Sequence, residues 1–244
     1  SNQVFSVFRI KNISDQQKLV MADLLDANTE GTGNTPNWRQ VVGKWDDLTE
    51  TIQNITVKNN GGAGDYANGS EVVVLGCDDD EADSGTNFWQ QINTVTPTSA
   101  GASNIESGAI TSKKYVWFEV YVAGKSASTF CEAFFNNSTS QNYCAKPSEN
   151  YGTSYDRTNG SDLNIFESYS GTTPDYLSCI FVNISGEEKV GISHTVRYVS
   201  GNAPKCDDVV WKFTDKTAPI TDIEIKPQSG TLSADSTIRV WGSD

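Results

Sequence analysis

The closing stretch of the chain, Ile220 to Asp244, is written a second time between Ile52 and Asp78, so the fold must accommodate one pattern twice. Ile-x-x-Ile-x-Ile-Lys at 220–226 answers Ile-x-x-Ile-x-Val-Lys at 52–58. Ser-x-Ile-x-Val-x-Gly-x-Asp at 236–244 answers Ser-x-Val-x-Val-x-Gly-x-Asp at 70–78. The match extends backwards, because Asn-Ile-Ser with a Lys four residues on occurs at Asn12 to Lys18 and again at Asn183 to Lys189. Equivalent residues are 171 apart at Asn12 and Asn183, 168 at Ile55 and Ile223, and 166 at Ser70 and Ser236. Small loop changes between constant strands produce such a drift. On this alignment residues from about 80 to 171 supply the first half of the second copy, and nothing between 1 and 244 supplies the first half of the first. The expectation is a partial module over 1–80, a linker over 81–112 and a complete module over 113–244.

The local patterns are those of strands. Lys114 to Val122, Thr129 to Phe135, Val190 to Val199, Val209 to Phe213 and Thr237 to Trp241 are short and rich in aromatic and β-branched residues. Gly, Asn, Ser and Pro clusters such as Asn59 to Gly64 and Thr158 to Ser161 punctuate them. Helix signals are weak. With about eight or nine candidate strands in the second copy and five in the first, the expected class is all-β, an antiparallel sandwich. Ile220, Ile223 and Ile225 are spaced first by three and then by two, which predicts a bend or bulge on entering a strand.

Composition excludes some functions. A net charge of −13 with a pI near 4.4 argues against a nucleic-acid surface, which works by releasing counterions through Lys and Arg. No apolar run reaches the length of a membrane-spanning helix. His194 is the only histidine and falls in a predicted strand, so it reads as a structural or surface residue and leaves no zinc or cupin site. Gly-x-Ser-x-Gly does not occur, and Gly124-Lys-Ser126 does not open a phosphate-cradling loop, because Glu119 stands where that loop needs its first glycine. Two carboxylates at the right separation suffice for glycoside cleavage, but 31 Asp and Glu give no way to single out a pair, and no catalytic residues are assigned.

The residues of the second copy resemble the jelly-roll module found at the ends of many tailed-phage structural proteins. The resemblance rests on Trp211, Ile220-Thr-Asp-Ile-Glu-Ile225, Gly230, Ser236 and Val240-Trp-Gly242, preceded by Phe135-Asn136 and Asn142-Tyr143. It covers about residues 113 to 244, with 4 to 78 as its echo, and departs from the pattern in its five cysteines and its acidity. The resemblance implies a jelly-roll sandwich in a non-enzymatic virion protein at the virion surface. Capsid decoration comes ahead of a tail fibre or receptor-binding role, with other virion proteins and copies of the chain, in a trimer for instance, as partners. A secreted carbohydrate-binding adhesin is the alternative.

Several residues carry more specific expectations. Asp78, Asp79, Asp80, Glu81 and Asp83 offer hard oxygen ligands that would suit Ca²⁺ at the joint between modules, although they also read as a hydrated acidic linker, and no other cofactor is expected. Cys179 falls opposite Phe8 and Cys206 opposite Trp38, a paired change that suggests the two positions touch, as a disulfide or as core packing. Cys131 and Cys144 form a second candidate pair, which leaves Cys77 over. Trp89, Tyr151, Tyr155 and Tyr169 are the aromatics placed to stack on sugar faces, if they lie coplanar in one groove.

Half a sandwich exposes an edge and half a core. Residues preceding Ser1, packing of the fragment onto the complete module, or strands from another subunit would each relieve that exposure.

Overall fold

The computed structural model of the chain describes residues 3–58, 65–75, 89–97, 101–149, 154, 156–166, 174–197 and 203–244. Among them lie fifteen strands and no helix: β1 (Val4–Lys11), β2 (Lys18–Asp26), β3 (Asn37–Trp45), β4 (Gln90–Val95), β5 (Ile105–Glu106), β6 (Tyr115–Val122), β7 (Cys131–Phe135), β8 (Tyr143–Glu149), β9 (Arg157–Gly160), β10 (Leu163–Phe166), β11 (Asp175–Val182), β12 (Lys189–Arg197), β13 (Lys205–Phe213), β14 (Ile223–Pro227) and β15 (Thr237–Ser243). The fold is an all-β antiparallel sandwich. Its large sheet runs β4-β15-β6-β11-β12-β13-β8-β9, its smaller sheet β10-β7-β14-β5, and β1-β2-β3 form a sheet of their own.

The core follows from strand alternation. Val116, Phe118, Val120 and Val122 of β6, Leu177, Cys179 and Phe181 of β11, Val209, Trp211 and Phe213 of β13, and Ile238 and Val240 of β15 all point to one side. Ala133 and Phe135 of β7, Leu163 of β10 and Ile223 and Ile225 of β14 meet them from the smaller sheet. Phe135 lies at the centre, 5.0 Å from the Trp211 ring and 5.8 Å from that of Phe181. Gly191 stands opposite Trp211 in the β12–β13 ladder, and a Cβ there would come within 2.3 Å of the indole. Glycine is required because the ring lies across its backbone.

The chain divides into two compact units. One comprises Ser1–Val7, Asp23–Gln40 and Trp89–Asp244, the other Phe8–Ala22 and Val41–Phe88. Within the first, Val190, Ile192 and Val210 point away from the main core and pack with Leu25 and Ala27 into a second core, joined by Phe5, Val7, Trp38, Ile180 and Val182. On the repeat alignment Phe5, Val7, Leu25 and Trp38 answer Tyr176, Ser178, Val196 and Cys206. Those residues face outward from the large sheet, and within this unit Phe5, Val7, Leu25 and Trp38 pack against its back face.

Two boundaries differ from the sequence expectation. The stretch 81–112 contains β4, which pairs with β15, and β5, which pairs with β14, so its described part belongs to the sandwich. Residues 1–80 are not one body either, since Ser1–Val7 and Asp23–Gln40 cluster with the complete module. Gln90-Gln-Ile-Asn-Thr-Val95 is too polar to announce an edge strand, and Val190, Ile192 and Val210 disclose a second packing face only through the parity of their strands.

Candidate functional site

The repeat is reproduced at the level of individual hydrogen bonds. Asn183 Nδ2 donates to Ile220 O (2.9 Å) and its Oδ1 accepts the Ile220 N–H (2.6 Å). Asn12 does the same with Ile52, at 3.0 and 2.7 Å. Lys189 Nζ reaches Asp215 O (2.6 Å), and Lys18 Nζ reaches Asp47 O (2.7 Å). Asp215 Oδ1 accepts the Thr217 N–H and Asp47 Oδ1 the Thr49 N–H, both at 2.8 Å, and each threonine hydroxyl adds a second bond. These bonds to Thr49 and Thr217 hold the two carboxyls below the ordinary Asp range. The turn that follows β3 in one copy and β13 in the other is therefore built twice from one set of residue types.

What surrounds these turns differs sharply. In the complete module Cys179, Val209, Phe213, Ile223, Ile225, Ile238 and Val240 are at most 2% exposed. Their counterparts in the second unit, Phe8, Val41, Trp45, Ile55, Val57, Val72 and Val74, are 38% to 67% exposed. Residues 52–58 and 65–75, which answer 220–226 with most of β14 and 231–241 with the first five residues of β15, belong to no strand. The apolar alternation that makes a core in one copy forms an open face in the other, far from the scattered single apolar residues usual on a surface. This face is the candidate functional site.

The residues singled out from sequence fall as follows. Asp78, Asp79, Asp80, Glu81 and Asp83, with Tyr151, Tyr155 and Tyr169, lie outside the described residues. Trp89 is half-buried and meets Trp117 edge-on at 6.0 Å, while Trp117 stacks on Trp241 at 4.7 Å. The Trp89 ring stands at 67° to that of Trp117, whereas Trp117 and Trp241 are close to parallel at 24°. The expected contact between Cys179 and Cys206 is not formed. Cys179 points into the core from β11, whereas Cys206 sits on the other face of β13, two strands away. Phe8 and Trp38 thus answer two positions that do not touch, one core-facing and one on the back face. Cys131, Cys144 and Cys179 are free and buried, and burial pushes each thiol up to about 12, which keeps it protonated and inert near neutral pH.

His194 lies on the outer face of β12, with Nδ1 2.7 Å from Asp208 Oδ1 and Nε2 3.7 Å from Asp23 Oδ2. A ring N–H donates to Asp208 in this arrangement, so the lone histidine links β12 and β13 to Asp23 of β2 within the first unit. Sequence reasoning missed the buried charges at the end of the large sheet. Asp175 and Arg197 are cross-strand neighbours, and Lys125 pairs with Asp175 while Arg197 Nε is 3.0 Å from Asp207 Oδ2. Nothing in their local sequence sets them apart from surface charges.

No family model matches the chain, and no curated protein or solved structure matches it.

Proposed function

We propose that the chain is a non-enzymatic structural protein of a tailed-phage virion, built on jelly-roll modules, that acts by packing its modules against neighbouring virion proteins. Capsid decoration at the virion surface is the role put first, with a homo-oligomer, such as a trimer, as the working form. One observation carries this reading: the same module occurs twice, once closed over a core and once with its core-facing residues open to solvent. A face of that kind is suited to burial on assembly. The sequence resemblance at Trp211, Ile220 to Ile225 and Val240 to Gly242 supplies the virion context. The test is mass spectrometry of density-purified particles from the phage that carries the gene. Peptides of this chain at a stoichiometric level support the reading, and their absence overturns it.

Carbohydrate binding is the second reading. Tyr121 and Tyr176 stand directly opposite each other on the outer face of β6 and β11, both about 40% exposed, with Tyr176 hydroxyl bonded to Glu119. Two exposed rings on one sheet face are a surface on which a sugar can stack. Binding on a glycan array that is lost in Tyr121→Ala and Tyr176→Ala would move this reading ahead of capsid decoration.

A further inference from the structure

We infer that the side chains of Lys125 and Asp175 are the two halves of an intramolecular isopeptide bond, a crosslink that the folded module forms with loss of water. Lys125 lies in the loop after β6, where its backbone bridges to Leu232, and Asp175 opens β11. Lys125 Nζ and Asp175 Oδ2 are in direct contact, and both side chains are fully buried. Strand parity explains the placement. Asp175 continues the alternation of Leu177, Cys179 and Phe181, so it faces the core, opposite Val122 of β6. Cys131 of β7 is buried close enough to feel both charges.

The other buried lysines mark this contact out. Lys18 and Lys189 direct Nζ to the main-chain carbonyls of Asp47 and Asp215, and Lys212 reaches those of Ala27 and Thr29, with Glu188 Oε2 further off at 3.7 Å. Only a carboxyl can condense with an amine, and Lys125 is the buried lysine that ends on one. Asp175 Oδ1 has no hydrogen-bond partner among the described residues. A buried ion pair offsets its desolvation only when its remaining lone pairs and protons are satisfied too. Condensation removes that demand, because the amide is neutral.

The reaction balances with nothing added. A proton passes from Nζ to the carboxyl along the existing contact, and the amine lone pair forms a bond to Cγ. One carboxyl oxygen then leaves as water, carrying that proton and a second from the nitrogen. Fixing an amine against an acid gives an effective molarity on the order of 10⁵–10⁸ M for well-oriented groups, and exclusion of water opposes hydrolysis. The bond closes a ring from 125 to 175 through β7, β8, β9 and β10, strands of both sheets. It constrains the unfolded chain as a disulfide across a long loop does, and it does not depend on the virion reading.

The test is the intact mass of the purified whole chain after denaturation and reduction. The expected mass is one water below that of the sequence, with a branched peptide joining the segments around Lys125 and Asp175 in a protease digest. Lys125→Arg keeps the charge but cannot form the amide, so it should return the full sequence mass. Asp175→Asn should lose one ammonia in place of water, since nitrogen is then the leaving atom. The branched peptide fixes the assignment without recourse to any variant. A full sequence mass for the folded chain, unchanged after prolonged incubation at neutral pH, overturns the crosslink. A missing water that persists in Lys125→Arg places the loss elsewhere, as a succinimide would, and overturns it equally.

Discussion

The two copies of the module use the same turn, the same lysine and the same asparagine clamp, yet only one has a core. Asn12, Lys18 and Asp47 hold their loop as Asn183, Lys189 and Asp215 hold theirs. Local hydrogen bonding therefore does not need the closed sandwich. Burial does, because a core-facing side chain is shielded only when the opposite sheet is present, and the strands that answer β4 to β10 are not among residues 1–80. Turn chemistry is a property of a short segment, and core formation is a property of the whole module.

The sharpest way to break this comparison is a pair of identical substitutions at equivalent positions. Ile223→Ala removes a fully buried side chain from the meeting point of both sheets, whereas Ile55→Ala trims one that is 48% exposed. Urea unfolding should show a loss of roughly 2–5 kcal/mol for the first, and a change within about 0.5 kcal/mol for the second. Comparable losses at the two sites would mean that Ile55 is buried in solution and that the open face is already occupied.

Next in size is Gly191→Ala. The new methyl would press into the Trp211 ring and the Phe181 Cβ, and overpacking of this kind costs about 1–3 kcal/mol. The half-module distributes bulk the other way, with Val20 where the complete module has Gly191 and Gly43 where it has Trp211. Trp211→Gly combined with Gly191→Val imports that arrangement. Thermal unfolding should find the double variant less destabilised than Trp211→Gly alone, since the valine refills part of the cavity.

The asparagine clamp gives a third, smaller contrast. Asn183 is buried, and truncating it to alanine strands the Ile220 N–H and C=O away from water at a cost of about 1–3 kcal/mol. Asn12 makes the same two bonds at an exposed position, where water can replace them, so Asn12→Ala should cost under about 1 kcal/mol. Equal losses would show that the half-module clamp is shielded in solution.

Much of this architecture is legible in the sequence, and the parts that are not share a physical cause. β6, β12, β13 and β15 announce themselves through β-branched and aromatic residues, and the repeat identifies equivalent turns that the structure confirms bond by bond. β4 stays hidden because an edge strand needs few apolar residues. The Cys179–Cys206 contact fails because alignment gives positions along strands but not the face on which each residue emerges, and the parity of β11 and β13 puts the two thiols on opposite sides. The back-face core was readable in principle. Val190 and Ile192 alternate with Gly191 and Ser193, and Leu177 to Val182 is apolar on both faces apart from Ser178, the pattern of a strand covered on both sides. The exposed apolar residues of the half-module correspond to an accounting gap in the sequence, since residues 1–80 hold only the second half of the repeat.

The smallest effect expected is in the acid titration, where the two copies should agree at one position and part at others. Hydrogen bonds from Thr49 hold Asp47 below its usual range, and those from Thr217 do the same for Asp215. A depressed carboxyl contributes stability that is present above its unfolded pKa and lost as pH falls through its folded one. Carboxyl NMR should therefore show both aspartates titrating below free Asp, and Thr217→Ala should bring Asp215 back up while leaving Asp47 unmoved. Burial raises Asp222 and Glu132 above their ordinary values, and the position answering Asp222 in the half-module is Asn54. The sign is opposite here. Their contribution is fully present below the unfolded pKa and disappears as pH rises through the folded one, because the ionised form is what burial disfavours. Asp222→Asn should accordingly flatten the loss of stability as pH rises from the ordinary Asp range through the raised folded pKa of Asp222, and leave the acid limb set by Asp215 in place. An unshifted Asp222 would mean that the module edge around it is open to water, and the contrast between a closed and an open copy would narrow at that point.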